Sequence, residues 1–81
     1  MKEYTYKIHL EPEPEGGFTV TVPALPGCVT WGKDYRHALA MAQEAIEGYL
    51  EVLAEQGKSI PEEPITGPVD TLIQVKSPAV A

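Results

Sequence analysis

The sequence predicts an α+β fold in which a small mixed sheet, in the order β-β-β-α-β, carries one helix on one of its faces. Two observations lead to this prediction. Apolar and polar residues alternate in two segments, as in half-buried strands, with two further short strands predicted after them, and one longer segment repeats its apolar residues at helical spacing. The chain has 81 residues, which is the size of one domain, so we assign residues 1–81 to a single domain.

The first two strands form a predicted hairpin. In EYTYKIHLE (residues 3–11), Tyr4, Tyr6, Ile8 and Leu10 alternate with polar residues, and in FTVTV (18–22) the apolar residues again recur at every second position. The prolines of PEPEGG (12–17) end the first strand and Gly16-Gly17 supplies a turn, so the two strands should pair antiparallel. Prolines on either side of Glu13 should keep this acidic loop extended.

A turn, a third strand and a helix follow. PALPG (23–27) is a rigid turn, CVTW (28–31) is a short strand, and Asp34 is a good N-cap for a helix that should run from Tyr35 to about Gln56. Gly57 with Lys58 is a typical helix end. The apolar helix face is predicted from seven residues, Tyr35, Leu39, Ala42, Ile46, Tyr49, Leu50 and Leu53. The glutamates Glu44, Glu51 and Glu55 fall on the opposite, solvated face.

The last predicted strand is TLIQVK (71–76), after a Pro- and Gly-rich loop at 57–70. The third strand, the helix and this strand should form a right-handed crossover with parallel strands. The sheet face away from the helix carries Thr5, Lys7, His9, Thr19 and Thr21. This face is therefore either in contact with water or covered by another chain.

Composition excludes several functional classes. Cys28 is the only cysteine, so there is no disulfide framework, and with two histidines we expect neither a metal site nor a cofactor. No apolar run approaches the ~20 residues that span a bilayer, and the N-terminus has no signal-peptide core, which together predict a cytoplasmic protein without membrane contact.

Charge and size point to protein partners. Six basic and twelve acidic residues give a net charge of −6, which argues against direct binding of nucleic acid and suits a basic partner. A chain this small has a marginal core of its own, so we expect a homodimer or homotetramer.

Catalytic chemistry is hard to find in the sequence. The glutamates lie in loops or on the solvated helix face, and the two aspartates, Asp34 and Asp70, lie at the ends of elements, so paired strand-borne carboxylates of a metal-dependent nuclease are not expected. Cys28 could pair with His9 or His37 in nucleophilic catalysis, but a buried structural cysteine is the better interpretation. We therefore predict that the chain is not an enzyme.

Surface features remain as candidates for function. The loop carries Glu11, Glu13 and Glu15 close together, and Trp31 and Tyr35 flank a turn where an aromatic ring can be half exposed. Acidic residues beside an aromatic anchor can bind a basic protein. The alternative is that Trp31 packs in the core and the loop is simply solvated.

Two segments together resemble the HicB-like antitoxin family: VPALPGCVTWG (22–32) and ALAMAQEAIEGYL (38–50), within a likeness that covers residues 4 to about 61. The resemblance implies a partial RNase H-like fold without the nuclease site. It also implies a type II toxin–antitoxin role, in which the antitoxin binds and masks a small basic HicA-like toxin that cuts mRNA. Many family members continue into a C-terminal DNA-binding module, which this chain of 81 residues does not show, so we do not expect it to bind DNA by itself.

These considerations leave three hypotheses. The first is a non-catalytic antitoxin whose partner-binding residues are Glu11, Glu13, Glu15 and Trp31. The second is a solitary HicB-like module that acts through self-association and has no toxin partner. The third is an unusual nuclease, for which the sequence offers no site.

Overall fold

A computed structural model of the chain describes residues 3–65, 67 and 71–76. Six elements follow in chain order: β1 (Glu3–Lys7), β2 (His9–Pro12), β3 (Phe18–Thr21), β4 (Val29–Gly32), α1 (Tyr35–Glu55) and β5 (Leu72–Lys76). The α+β class and the β-β-β-α-β order are confirmed, because β1 and β2 are the two halves of the first predicted strand.

The strands form two small antiparallel sheets. β1 pairs with β5, from Glu3 opposite Lys76 to Lys7 opposite Leu72, and the second sheet has the order β2-β3-β4. The predicted parallel crossover is therefore wrong: β5 pairs antiparallel with β1, not parallel with β4, and every described strand pair is antiparallel. The sheet is accordingly not mixed within the described part of the chain.

The segment after the helix explains this pairing. The hydroxyl of Tyr6 donates to the Pro61 carbonyl, and Lys7 N donates to Glu63 Oε1 at 2.9 Å, so residues 61–63 are held against β1 before β5 begins. Ile8 N donates to Thr71 O at 3.2 Å on the β5 side. Since neighbouring amides of a strand point to opposite edges, Glu63 caps the edge of β1 away from β5.

The helix begins and ends as the sequence predicts. Asp34 is the N-cap, and its Oδ1 accepts a hydrogen bond from His37 N at 2.8 Å. At the other end Gly57 has a φ of 71°, and Lys58 N donates to Leu53 O at 2.9 Å, which closes a glycine C-terminal motif.

The core lies between α1 and both sheets. The helix contacts β3, β4 and β5. The core consists of buried apolar residues from β1, β3, α1, β5 and the segments that connect β1 to β2 and β3 to β4: Tyr6, Ile8, Val20, Val22, Leu25, Cys28, Ala38, Ala42, Ile46, Leu50, Ile73 and Val75.

The predicted helix face is correct in its middle and wrong at its start. Ile46 and Leu50 are fully buried, but Tyr35 is 50% exposed and Ala38, which the prediction omitted, is buried. The cause is a close approach: a Cβ on Gly32 would overlap the backbone of Ala38. The first turn of α1 therefore contacts β4 through its smallest residues, and the large ring of Tyr35 turns aside to meet Phe18 edge-on at 6.3 Å between ring centroids.

Candidate functional site

The side of the three-stranded sheet away from α1 is open. Val20 of the central strand β3 is buried beneath the helix, and side chains alternate along each strand, so its neighbours face outward. We call this side the outer face. It consists of His9, Glu11, Thr19, Thr21, Val29 and Trp31.

Strand register arranges these residues in two rows across the sheet. Thr19 is opposite Glu11 on one side and Trp31 on the other, and Thr21 is in the same way opposite His9 and Val29. Directly opposed residues have Cβ atoms about 5 Å apart. The first row therefore places a carboxylate and an indole on either side of a small hydroxyl side chain.

The apolar part of the outer face is unusually exposed. Val29 is 58% exposed and Trp31 48%, which disproves the alternative in which Trp31 packs in the core and confirms that this aromatic ring is half exposed. Gly17 also holds the ring of Trp31 in position. A Cβ on Gly17 would overlap the indole ring, so the ring packs directly on the glycine backbone.

The hairpin between β2 and β3 holds the acidic residues. It is not extended, as the sequence suggested, but folds tightly: Gly16 N donates to Glu13 O and Glu13 N donates to Gly17 O, both at 2.9 Å. Gly16 and Gly17, with φ of 106° and 83°, allow this closure, and the proline at position 14 fits the turn that they form.

Two of the carboxylates have defined partners. Glu13 Oε2 accepts a hydrogen bond from Thr19 Oγ1 at 2.7 Å, and Glu11 Oε1 lies 3.3 Å from His9 Nε2. The side chains of His9 and Glu11 are 62% and 67% exposed, so the second contact is a surface contact of small energetic value. Glu11 thus lies exposed within the row that contains Trp31, and Glu13 lies half-buried beside that row.

The structure brings together three of the four predicted partner-binding residues. Glu11 belongs to β2 and not to the loop, Glu13 reaches the same row through Thr19, and Trp31 lies across from Thr19 on β4. Glu15 is exposed in the turn, and none of the contacts described for this row includes it.

Val29 is not among the predicted partner-binding residues, although the sequence contains a signal for it. Val29 precedes Trp31 by two residues in a strand, so the two share a face, and a β-branched residue beside an exposed tryptophan extends the apolar surface.

The described residues offer little for catalysis. None of their His, Cys, Asp and Glu side chains gather in groups of three or more that could hold a metal ion. Cys28 is buried, and burial raises the pKa of its thiol because it disfavours the charged thiolate. This makes Cys28 a poor nucleophile and agrees with the structural interpretation of this residue.

Comparison with known proteins identifies the family. The family model described as "HicB_like antitoxin of bacterial toxin-antitoxin system" matches residues 6–77. The chain belongs to the HicB-like antitoxin family. The resemblance found in the sequence is confirmed.

Relatives and a solved structure agree with this assignment. Antitoxin HicB 1 of Photorhabdus laumondii is 36% identical over 69 residues, which are 85% of this chain and 43% of that protein. A UPF0150 protein of Thermoplasma acidophilum is 41% identical over 56 residues, 69% of this chain and 81% of the relative.

The crystal structure of the antitoxin HicB from Burkholderia pseudomallei superposes with a TM-score of 0.65 at 32% identity, covering 82% of this chain and 48% of that one. This likeness confirms the HicB fold. The chain thus spans less than half of the length of either named HicB antitoxin. In the part that the structure describes, no helix is long and apolar enough to cross a membrane.

Proposed function

We propose that this HicB-like chain is a non-catalytic antitoxin that binds and masks a small, basic, HicA-like toxin through the outer face and the adjoining hairpin. The toxin would be an mRNA-cleaving enzyme, and the complex would form in the cytoplasm, where its substrate lies. The observation that supports this proposal most directly is the row Glu11–Thr19–Trp31, which joins a carboxylate to a half-exposed aromatic ring.

Charge explains why such a face suits this kind of partner. A protein that binds RNA must present Lys and Arg to phosphates, and a chain of net charge −6 attracts that surface. Carboxylates at Glu11, Glu13 and Glu15 would occupy positions that phosphates take in the toxin's substrate. The same charge argues against direct binding of nucleic acid by the antitoxin itself.

The aromatic ring supplies a different contribution. Tryptophan is common among the residues that dominate binding energy, because it buries a large area with little loss of conformational freedom. Trp31 already rests on Gly17, so it would lose little further freedom on binding. Carboxylates would thus set the association rate and orientation, and Trp31 would contribute most to the lifetime of the complex.

The test is co-expression of this chain with a small basic protein from the adjacent gene, followed by pull-down at low and high salt. The proposal predicts a complex at low salt that weakens as salt rises, because exposed charges are screened. Absence of a complex at low salt would contradict it. The pair Glu11→Gln and Glu51→Gln makes the same charge change on the outer face and on the exposed helix side, and only the first should weaken capture.

A second candidate function is self-association of a solitary module as a homodimer or homotetramer. The feature that favours it is the free edge of β4, at the end of the order β2-β3-β4. Light scattering on the purified chain tests it directly, and a monomer at micromolar concentration would count against this function.

A further inference from the structure

Glu13 is held by both its backbone and its side chain. Its N–H donates to Gly17 O and its C=O accepts from Gly16 N, both at 2.9 Å. The residues before and after it are prolines, which restrict the backbone on either side. Its Oε2 accepts a hydrogen bond from Thr19 Oγ1 at 2.7 Å. The carboxylate of Glu13 is therefore oriented before any partner binds.

The same carboxylate can accept further hydrogen bonds. An ionised carboxylate has about four acceptor positions on its two oxygens, and the hydroxyl of Thr19 uses one of them. Among the Lys and Arg side chains that the structure describes, none forms an ion pair with Glu13. A cationic donor from another molecule would therefore meet an oriented carboxylate that has no charged partner in the described chain.

The indole of Trp31 lies next to this carboxylate. Glu13 is hydrogen bonded to Gly17 across the hairpin, and the indole covers Gly17, because a Cβ at this glycine would overlap the ring. Thr19, which binds the Glu13 carboxylate, is directly opposite Trp31. Since Trp31 is 48% exposed, the outer face presents an oriented carboxylate and an open aromatic surface side by side.

We propose that Glu13 and Trp31 form a binding site for one arginine side chain of a basic protein. A guanidinium is planar and weakly hydrated, so it can stack on an aromatic ring and also donate two N–H groups to a carboxylate. Glu13 and Trp31 offer both contacts to a single side chain. This inference rests on the proposed function for the partner, and it adds which side chain of that partner the outer face binds.

The arrangement favours arginine over lysine. A lysine ammonium is a compact, strongly hydrated charge and cannot make the two-pronged contact with a carboxylate. An exposed ion pair alone contributes little binding energy, so the preference comes from the indole and from the fixed carboxylate. Thr19 is a positioning residue in this site, because its hydroxyl holds the Glu13 carboxylate beside Trp31 without contacting the ligand itself.

The experiment is a titration of the full chain with N-acetylarginine amide, with N-acetyllysine amide as the matched probe. Trp31 is the single tryptophan of the sequence, so its fluorescence reports directly on the site. The arginine probe should give a saturable change in emission and bind at least about threefold more tightly than the lysine probe. The absence of a saturable change at millimolar arginine probe, or equal affinity for both probes, would overturn the proposal.

Matched variants locate the site. Glu13→Gln and Glu15→Gln each remove one charge from the same hairpin, and the glutamine at position 13 can still accept the Thr19 hydroxyl, so the fold is kept. Glu13→Gln should abolish the preference for arginine, and Glu15→Gln should retain it. Thr19→Val should weaken binding of the arginine probe, whereas Thr19→Ser, which keeps the hydroxyl, should preserve it. An arginine preference in Glu13→Gln equal to that of the parent chain would refute the site.

These probes separate the arginine site from the proposed function, because they require no toxin. Selective binding of the arginine probe supports the site even if no basic protein is captured in the pull-down, and that result would count against the antitoxin role alone. Capture of a basic protein by a chain that binds both probes equally would leave the antitoxin role standing and exclude the arginine site.

Discussion

Gly17 and Trp31 form the contact that defines the outer face. The indole of Trp31 packs on the Gly17 backbone so closely that a Cβ at this glycine would overlap the ring. The hairpin glycine thus does two things at once: it adopts a φ of 83°, which favours glycine, and it leaves room for a half-exposed tryptophan. The acidic hairpin and the aromatic part of the surface are therefore positioned by the same residue.

The first prediction concerns this contact. Gly17→Ala should displace the indole and shift tryptophan fluorescence, in addition to a loss of about 1 kcal/mol or more from the positive φ. Gly16→Ala is the matched control, because Gly16 also has a positive φ (106°) but a Cβ at this position would have no neighbouring atom within 4 Å. Both variants should lose stability in denaturant titrations, and only Gly17→Ala should change the emission. An unchanged spectrum in Gly17→Ala would show that the ring does not rest on this glycine.

The second prediction concerns the middle of the helix. Ile46→Ala and Leu50→Ala should each lower the free energy of unfolding by about 2–5 kcal/mol, because both side chains are fully buried between α1 and the sheets. Glu51→Ala should change it by no more than about 0.5 kcal/mol, as an exposed substitution. Urea unfolding of the three variants measures this. Similar losses at all three positions would contradict the orientation of the helix.

The third prediction concerns pH. Burial, with smaller contributions from the charges of Tyr4, Glu62 and Glu63, raises the pKa of Tyr6 from 10.0 to about 12. Because the pKa in the folded chain is above the value in the unfolded chain, the stability from the neutral phenol is fully present below pH 10. It is lost as the pH rises from about 10 towards 12.

Tyr6→Phe isolates this effect. It removes the hydrogen bond to Pro61 O and should cost about 1 kcal/mol near neutral pH. Above pH 10, however, the parent chain should lose stability faster than Tyr6→Phe, since the variant has no phenol to ionise at this position. Unfolding titrations at several pH values compare the two slopes. If the difference between the chains did not change with pH, Tyr6 would not be the group responsible.

The sequence was sufficient to predict the elements whose structure depends on local chemistry. Asp34 and Gly57 are the residues that start and stop helices, and alternation at Tyr4, Tyr6 and Ile8 marks a half-buried strand. The sequence was insufficient to predict strand pairing that depends on contacts between residues far apart in the chain. The pairing of β5 with β1 depends on Pro61 and Glu63 binding to Tyr6 and Lys7, and no periodicity reveals contacts across so many residues.

The candidate site shows the same division. The acidic character of the hairpin followed from residue types and spacing, whereas the sequence left open whether Trp31 is half exposed or packed in the core. The row that joins Glu11 to Trp31 through Thr19 depends on the register of three strands, and register is fixed by a turn whose tight form the sequence did not reveal. The start of the buried helix face was also predicted wrongly. Ala38 is buried because Gly32 has no side chain and lets α1 approach β4 closely, and such a contact between two elements is not visible in the pattern of either one.

Calorimetric measurement of the affinity between the purified chain and the proposed HicA-like toxin tests the central proposal most directly. Trp31→Ala and Tyr35→Ala each remove an aromatic ring that is about half exposed. Trp31 lies on the outer face, whereas Tyr35 lies at the start of α1, against Phe18. The account predicts that Trp31→Ala weakens binding by about 2 kcal/mol or more, while Tyr35→Ala has little effect. Equal affinities of Trp31→Ala and the parent chain would show that the toxin, if bound, contacts another surface.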